Sequence, residues 1–447
     1  MKKVHFISIG GAVMHNLALC LHQLGWQVSG SDDEIFEPSL GRLKRVGIAP
    51  AEFGWFPDKI TNNLDVVILG MHARADNPEL LKAKELDLKV YSFPEFVYEH
   101  AQDKTRIVIG GSHGKTTTTA MVMHILKERG YAFDYLVGSI IDGYDTMVQL
   151  SDAPYIVIEG DEYLNSALDP RPKFHFYHPQ MAQLTGIAWD HINVFPTWEN
   201  YVEQFRIFLN QLPAGAPLAY YNGDQTLTDL CNERSDLNLL PYACPDFVIQ
   251  NGKTEVIENG SHYPLLIFGK HNLENMAGAI ALVEQIGISR VEALQAMQSF
   301  KGTARRLELI AETDSFKAYR DFAHSPSKLK ATVQSVRTQY PSEKLIAVFE
   351  LHTFSSLTKA FLDEYHQCLE GADMAIVYFN PEVIAHKKLE ALDPEEVCEA
   401  FGGDVQVITD SAFLDEYLKA QNYQNSVLLL MSSGNFNNLN FDYLKTI

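Results

Sequence analysis

The chain has little cysteine, no long apolar run and no basic cluster, and each absence removes a class of protein. Only five of 447 residues are cysteine, and Cys20, Cys231, Cys244, Cys368 and Cys398 show no close paired spacing. That excludes a disulfide framework and a cysteine-based zinc site, and makes a reducing, cytoplasmic compartment the expectation. No stretch approaches the roughly 18 apolar residues of a membrane-spanning helix. The early apolar run, residues 4–9, meets Gly10-Gly11 too soon for a signal-peptide core, so a soluble, unprocessed protein with no membrane partner is expected. Lys and Arg number 36 against 57 Asp and Glu, a formal charge of -21, without a local surplus of basic residues. Nucleic acid is therefore not an expected partner, and any polyphosphate must be held locally.

What is present is ordinary globular composition, 46% apolar and 21% charged, with no internal repeat or low-complexity tract. The length exceeds what one hydrophobic core organises. Residues 4–9 read as a buried strand, followed by two glycines and a helical pattern at Met14, Leu17, Ala18 and Leu21. Further strands are expected at 27–30, 66–69 and 89–91, alternating with helices, which is the plan of a Rossmann-like unit. A new unit starts with a strand at 106–109, a glycine loop and a helix over about 116–129, with later strands at 155–158 and 184–188 and a helix from about Asn272. From Leu307 strands near 344–349, 374–378 and 426–431 again alternate with helices. The expectation is an α/β chain of three domains: Rossmann-like (1–103), central P-loop-ATPase-like (104–302) and C-terminal Rossmann-like (303–447).

The run GSHGKTTTT (residues 111–119) carries the clearest chemistry. A glycine turn between strand and helix aims backbone N–H groups at an anion, and the helix N-terminus adds partial positive charge. Gly111, Ser112, His113 and Gly114 form that turn. Lys115 can reach β- and γ-phosphate oxygens, the Thr116 hydroxyl is placed to hold Mg2+, and Thr117 continues the phosphate contacts. Ile109 stands where the longer P-loop has its first glycine, so the loop is a shortened variant.

Gly10-Gly11, followed by a helix and Asp32, admits three readings. A nicotinamide site would use Asp32 on a ribose hydroxyl, but Ser8 and Val13 occupy places where that fingerprint has glycine. A sugar nucleotide diphosphate could use the same helix N-terminus, with Gly10, Gly11, Asp32, His72 and Asn77 as candidates. The turn could also be structural only. Elsewhere, Glu159 follows four residues of β character, which puts a carboxylate at a strand's C-terminal end, where α/β sites form. His191 alone is an odd ligand for so hard a cation as magnesium, and Asp321 and His324 alone read as a turn before Pro326.

Taken together these motifs resemble the Mur ligases, the family that builds the peptide stem of peptidoglycan. ISIGGAVMHNLA resembles the family's UDP-binding start, and GSHGKTTTT its shortened ATP loop. IEGDEY (158–163) resembles the acidic strand end whose first glutamate, here Glu159, serves magnesium, and Asp190-His191 the metal-binding histidine. GKHNLEN (269–275) resembles the adenine-contacting motif, which implicates His271, Asn272 and Asn275. Arg305-Arg306 resembles the arginine that reaches ATP, and DFAHSP (321–326) a C-terminal loop in which Asp321 holds the ribose and His324 sits near the transferred phosphate.

The resemblance implies an ATP- and Mg2+-dependent ligase, monomer or homodimer, that activates the carboxylate of UDP-N-acetylmuramate as an acyl phosphate and joins it to an amine. Lys115, Arg306 and His324 are its expected catalytic residues. GSDDEIFEPS (30–39), FPEFVYEH (93–100) and MSSGNF (431–436) resemble a member that takes the tripeptide L-Ala-γ-D-Glu-meso-diaminopimelate in muropeptide recycling. The segment from Phe349 through His352 to Ser355 is closer to the L-alanine-adding member. Where some relatives carry a carbamylated lysine, this chain has Arg206, so a second magnesium would need another support such as Glu162. A dehydrogenase or a catalytically silent UDP-sugar-binding protein are the remoter alternatives.

Overall fold

In the computed structural model residues 1–191, 194–250 and 252–447 are described. The fold is a three-domain α/β one with a small antiparallel sheet besides. It divides into two compact units, residues 1–244 with 274–297, and residues 245–273 with 298–447.

The first unit contains two sheets. One has four parallel strands in the order Gln27–Ser31, Lys3–Ile7, Val66–Leu69, Val90–Ser92. Val4, Phe6, Ile7, Val67 and Ile68 are wholly or almost wholly buried, as a parallel strand covered on both faces requires. Met14, Leu17, Ala18 and Leu21 are buried in the helix Ala12–Gln23, together with His15, Asn16, Leu19 and Cys20 on its other sides. A buried polar pair crosses this core: His5 Nε2 lies 3.1 Å from Glu79 Oε2, and Phe56 N–H donates to Glu79 Oε1 at 2.8 Å.

The other sheet of this unit has seven strands, with Thr105–Gly110 between Met181–Leu184 and Tyr155–Glu159. The strand expected at 184–188 ends instead at Leu184. Thr185 turns back so that its N–H bonds Gly110 O, and Gly186 takes φ +130° and accepts from Ser112 N–H. Those backbone groups serve the glycine loop, so the apolar run Ile187-Ala188 cannot extend the ladder.

The second unit holds a six-stranded sheet in the order Glu308–Thr313, Phe316–Asp321, Ser426–Met431, Lys344–Glu350, Met374–Tyr378, Gln406–Ile408. All pairs but the first are parallel. Asp321, Glu350 and Met431 therefore end adjacent strands at one edge. A three-stranded antiparallel sheet, Phe247–Gln250, Lys253–Glu258 and Ser261–Leu265, belongs to the same unit. Its second hairpin turns on Asn259-Gly260, both at positive φ, a pair that matches strand twist. Asn-Gly is itself the sequence signal of such a hairpin. Among the described residues no helix is long and apolar enough to cross a membrane.

Candidate active site

The buried residues Ile107, Val108 and Ile109 fix the Thr105–Gly110 strand in mid-sheet, and the chain leaves it through glycines that hold two left-handed positions. Gly111 has φ +126° and Gly114 φ +75°. Each also fills a tight place: a Cβ on Gly111 would stand 2.1 Å from Thr185 Oγ1. The helix Lys115–Glu128 then starts at Gly114 without any side-chain cap. Its first-turn N–H groups are the ones a phosphate would accept from.

Lys115 points back across the loop, its Nζ 2.6 Å from Gly111 O and 2.7 Å from Glu162 Oε2. Burial works against the ammonium, but Glu162, Asp161 and Glu159 outweigh it and raise its pKa. Thr116 Oγ1 donates to Glu159 Oε1 at 2.7 Å, and Gly138 N–H to Glu159 Oε2 at 2.7 Å. Burial keeps the Glu159 pKa above the usual carboxylate value despite these donors and Lys115. Asp161 is shifted the other way: burial is overcome by Lys173, 2.6 Å away, and by Lys115.

The remaining loop residues divide. Ser112 turns its hydroxyl inward, 2.8 Å from Tyr201 OH, and accepts from Ala188 N–H at 2.8 Å, while its own N–H bonds Gly186 O, so it braces the loop from behind. His113 Nδ1 lies 2.8 Å from Ser112 O. Thr117 is buried in the first helical turn. Asn275 packs against Gly114.

Among the described residues no three His, Cys, Asp or Glu side chains gather as a ready-made metal cage. The Thr116–Glu159 pair nonetheless fits magnesium, which takes oxygen ligands and keeps several from substrate and water. His191, at φ +55°, faces other groups: Nε2 is 3.7 Å from Glu162 Oε1, Nδ1 is 3.9 Å from Asp190 Oδ1, and its ring packs on Tyr163. Arg206, at the place noted for lysine, forks onto Glu203 and Glu233.

At the N-terminal glycine turn Gly10 N–H donates to Asp32 Oδ2 at 2.7 Å, and the helix after Gly11 again lacks a side-chain cap. Burial raises the Asp32 pKa to about 6. His72 is exposed, whereas Asn77 is buried and spends its side-chain oxygen capping Pro78–Glu85 through Glu79 and Leu80 N–H. Motif reasoning passed over Arg42. Its guanidinium meets His15 Nε2 at 3.2 Å and Asn16 Oδ1 at 2.9 Å and also donates to Asp145 O. A lone arginine thirty residues past a glycine turn gives no such signal.

In the second unit Asp321 is buried at its strand end, with Leu307 N–H on Oδ2 at 2.8 Å and Ala323 N–H on Oδ1 at 2.7 Å. Arg306 lies over the Phe322 ring, 5.2 Å from its centre, between Arg305 and Leu307, both at positive φ. Burial lowers the His271 pKa, with Asp321 opposing and Arg306 adding to the shift. Asn272 Nδ2 donates to Phe268 O, and His324 Nδ1 lies 2.9 Å from Phe322 O. Next to them Glu350 Oε2 accepts from Ser432 O–H and from Phe436 N–H, while Gly434 lies against the His352 ring.

Three family descriptions match along the chain: Mur ligase family, catalytic domain, at residues 3–105; Mur ligase middle domain at 109–283; and Mur ligase, glutamate ligase domain, at 305–434. A UDP-N-acetylmuramate–L-alanine ligase of Caldicellulosiruptor bescii is 32% identical over 84% of this chain and 83% of its own. The UDP-N-acetylmuramate–L-alanyl-γ-D-glutamyl-meso-2,6-diaminoheptandioate ligase of Haemophilus influenzae is 27% identical over 98% and 97%. The crystal structure of the UDP-N-acetylmuramate–alanine ligase of Thermotoga maritima shares the fold, with TM-score 0.71 at 21% identity, covering 98% of this chain and 97% of its own. With all three models in order and a relative of this identity, the chain belongs to the Mur ligase family of ATP-dependent carbon–nitrogen ligases.

Proposed function

We propose that the protein joins the carboxylate of UDP-N-acetylmuramate to the amino group of L-Ala-γ-D-Glu-meso-diaminopimelate, in peptidoglycan recycling. The observation that carries carboxylate activation is the loop itself, an uncapped helix start at a left-handed glycine with Lys115 and the Thr116–Glu159 pair on it. A carboxylate is a poor electrophile. Attack of its oxygen on the γ-phosphorus of ATP, with departure of ADP, gives an acyl phosphate. The amine then attacks the acyl carbon, loses a proton, and phosphate leaves.

The backbone N–H groups of Gly111, His113 and Gly114 and the Lys115 ammonium bind the phosphates, with Ser112 bracing the loop, and Arg306 adds positive charge where the transition state spreads negative charge. His271, Asn272, Asn275 and Asp321 are assigned to the adenosine, and His324 to the neighbourhood of the transferred phosphate. Thr116 and Glu159 would hold magnesium, which when bound neutralises charge on the phosphate oxygens, and His191, turned toward Glu162, is assigned to the same metal end. Gly10, Gly11, Asp32 and His72 are assigned to the UDP-sugar, with Asn77 behind them as the cap of its helix, and residues 1–103, 104–302 and 303–447 to UDP-sugar, ATP and amine respectively.

A relative with the tripeptide in its name and L-alanine ligases both align over nearly the whole chain, so the support for that amine is the likeness of residues 30–39, 93–100 and 431–436. The His352 segment and the identity to L-alanine ligases favour L-alanine as the second reading. Phosphate release with UDP-N-acetylmuramate, offered the tripeptide and L-alanine separately, decides between them: faster turnover with the tripeptide is expected, and turnover with L-alanine alone establishes the second reading. Oxygen-18 placed in the carboxylate is expected in the released phosphate, and its absence rules out the acyl phosphate.

A further inference from the structure

Behind the glycine loop a chain of four polar groups runs through the protein interior, and the direction of its hydrogen bonds is fixed by chemistry. Glu162 and Tyr201 are each 0% exposed. A carboxylate only accepts, so Tyr201 O–H, 3.3 Å from Glu162 Oε1, is the donor of that pair. The Tyr201 oxygen is then left to accept from Ser112 O–H at 2.8 Å, and Ser112 Oγ in turn accepts from Ala188 N–H at 2.8 Å. The other Glu162 oxygen, Oε2, is 2.7 Å from Lys115 Nζ. One end of the relay is thus the loop's own backbone layer, and the other is the ammonium assigned to the nucleotide phosphates.

An ammonium so enclosed needs a counter-charge, since an unpaired buried charge costs several kcal/mol. Two of its three N–H donors already meet Gly111 O and Glu162 Oε2, so a phosphate that draws the ammonium toward itself does so at the expense of the Glu162 ion pair. We propose that Glu162, its charge shared with the Tyr201 hydroxyl, is a positioning residue that holds Lys115 back on the loop and competes with nucleotide phosphate for it. Glu159, bonded by Thr116 and Gly138, is the separate carboxylate of the metal end. The division of labour between two glutamates three residues apart follows from strand geometry: Glu159 ends the Tyr155–Glu159 strand, and Glu162 lies beyond it, where the chain has turned inward. This inference rests on the reading of residues 111–119 as a nucleotide loop.

The test is calorimetric titration of the full chain with ADP in EDTA, so that no metal takes part. Glu162→Gln keeps the acceptor for Tyr201 and removes the charge; ADP is expected to bind about tenfold tighter, on the scale of one charged hydrogen bond. Tyr201→Phe takes a donor from Glu162, leaves Lys115 more firmly held, and is expected to weaken ADP by about threefold. Damage to the fold would weaken both, so the opposite signs separate positioning from support. In a Lys115→Met background both effects should shrink below about twofold. Unchanged or weaker binding by Glu162→Gln, or equal tightening without Lys115, overturns the proposal. If Glu162→Gln lowers the melting temperature too far to titrate, Tyr201→Phe decides the matter: weakening that vanishes without Lys115 upholds the proposal, and weakening that persists overturns it. Wild-type protein that binds no ADP at all overturns the loop reading, and this inference with it.

Discussion

Asn275 occupies the space that a side chain at Gly114 would need: a Cβ there would stand 2.6 Å from Asn275 Oδ1 and 2.8 Å from Nδ2. Gly114 is also at φ +75°. The loop and the helix that begins at Lys270 are therefore mutually fitted at this point. Gly114→Ala meets both a backbone penalty of about 1–2 kcal/mol and the asparagine. It is expected to lower ATP turnover at least about a hundredfold, the scale of losing an aligned phosphate donor. Steady-state phosphate release checks this.

Asp321 holds two backbone N–H groups, Leu307 and Ala323, on opposite oxygens. Asp321→Ala strands both and is expected to cost about 2–3 kcal/mol in denaturant unfolding. Asp321→Asn keeps one acceptor and should cost about 1 kcal/mol. If the residue also meets the ribose, the asparagine variant will raise the KM for ATP, and an unchanged KM refutes that assignment.

Two buried carboxylates beside the N-terminal sheet should give opposite pH signatures. Burial lifts Asp32 to about 6, so its folded pKa lies above its unfolded one, and stability is lost as pH rises through that interval. Asp32→Asn should therefore gain stability at pH 8 relative to wild type and little at pH 4. Burial would also lift Glu79, but bonds from His5, Ser31 and Phe56 outweigh it and lower its pKa. Its contribution is complete above the ordinary glutamate pKa and disappears as pH falls through the depressed one. Glu79→Gln should destabilise at pH 7, with the gap to wild type closing in acid. Thermal melts across pH 3 to 8 measure both.

A Cβ on Gly434 would lie 2.6 Å from the His352 ring and 2.9 Å from Glu350 Oε2. On the amine assignment of this domain, Gly434→Ala should lower kcat/KM for the amine about tenfold or more, the cost of displacing a positioned group. ADP affinity should stay the same. Equal losses for amine and ADP would place the defect in folding instead.

Much of this was legible without coordinates because buried parallel strands write themselves as apolar runs. Residues 66–69, 374–378 and 426–431 are strands with the bounds their sequence suggests. The glycine loop was legible because left-handed backbone, lysine and threonine coincide. Glu162 was legible only as a support for a second magnesium, not as the partner of Lys115, and Tyr201 not at all. An aromatic on an amphipathic helix reads as core, and only the fold shows its hydroxyl joining Ser112 to Glu162. Asn77 shows the reverse: a polar residue in a promising loop whose oxygen is taken by the helix it starts.

The fork of Arg206 on Glu203 and Glu233 has a consequence for chemistry in the medium. A lysine amine at that place can react with dissolved carbon dioxide and so couple an enzyme to bicarbonate. A guanidinium stays protonated and does not form that adduct at neutral pH. At this position the protein is thereby insulated from the carbon dioxide tension of its surroundings.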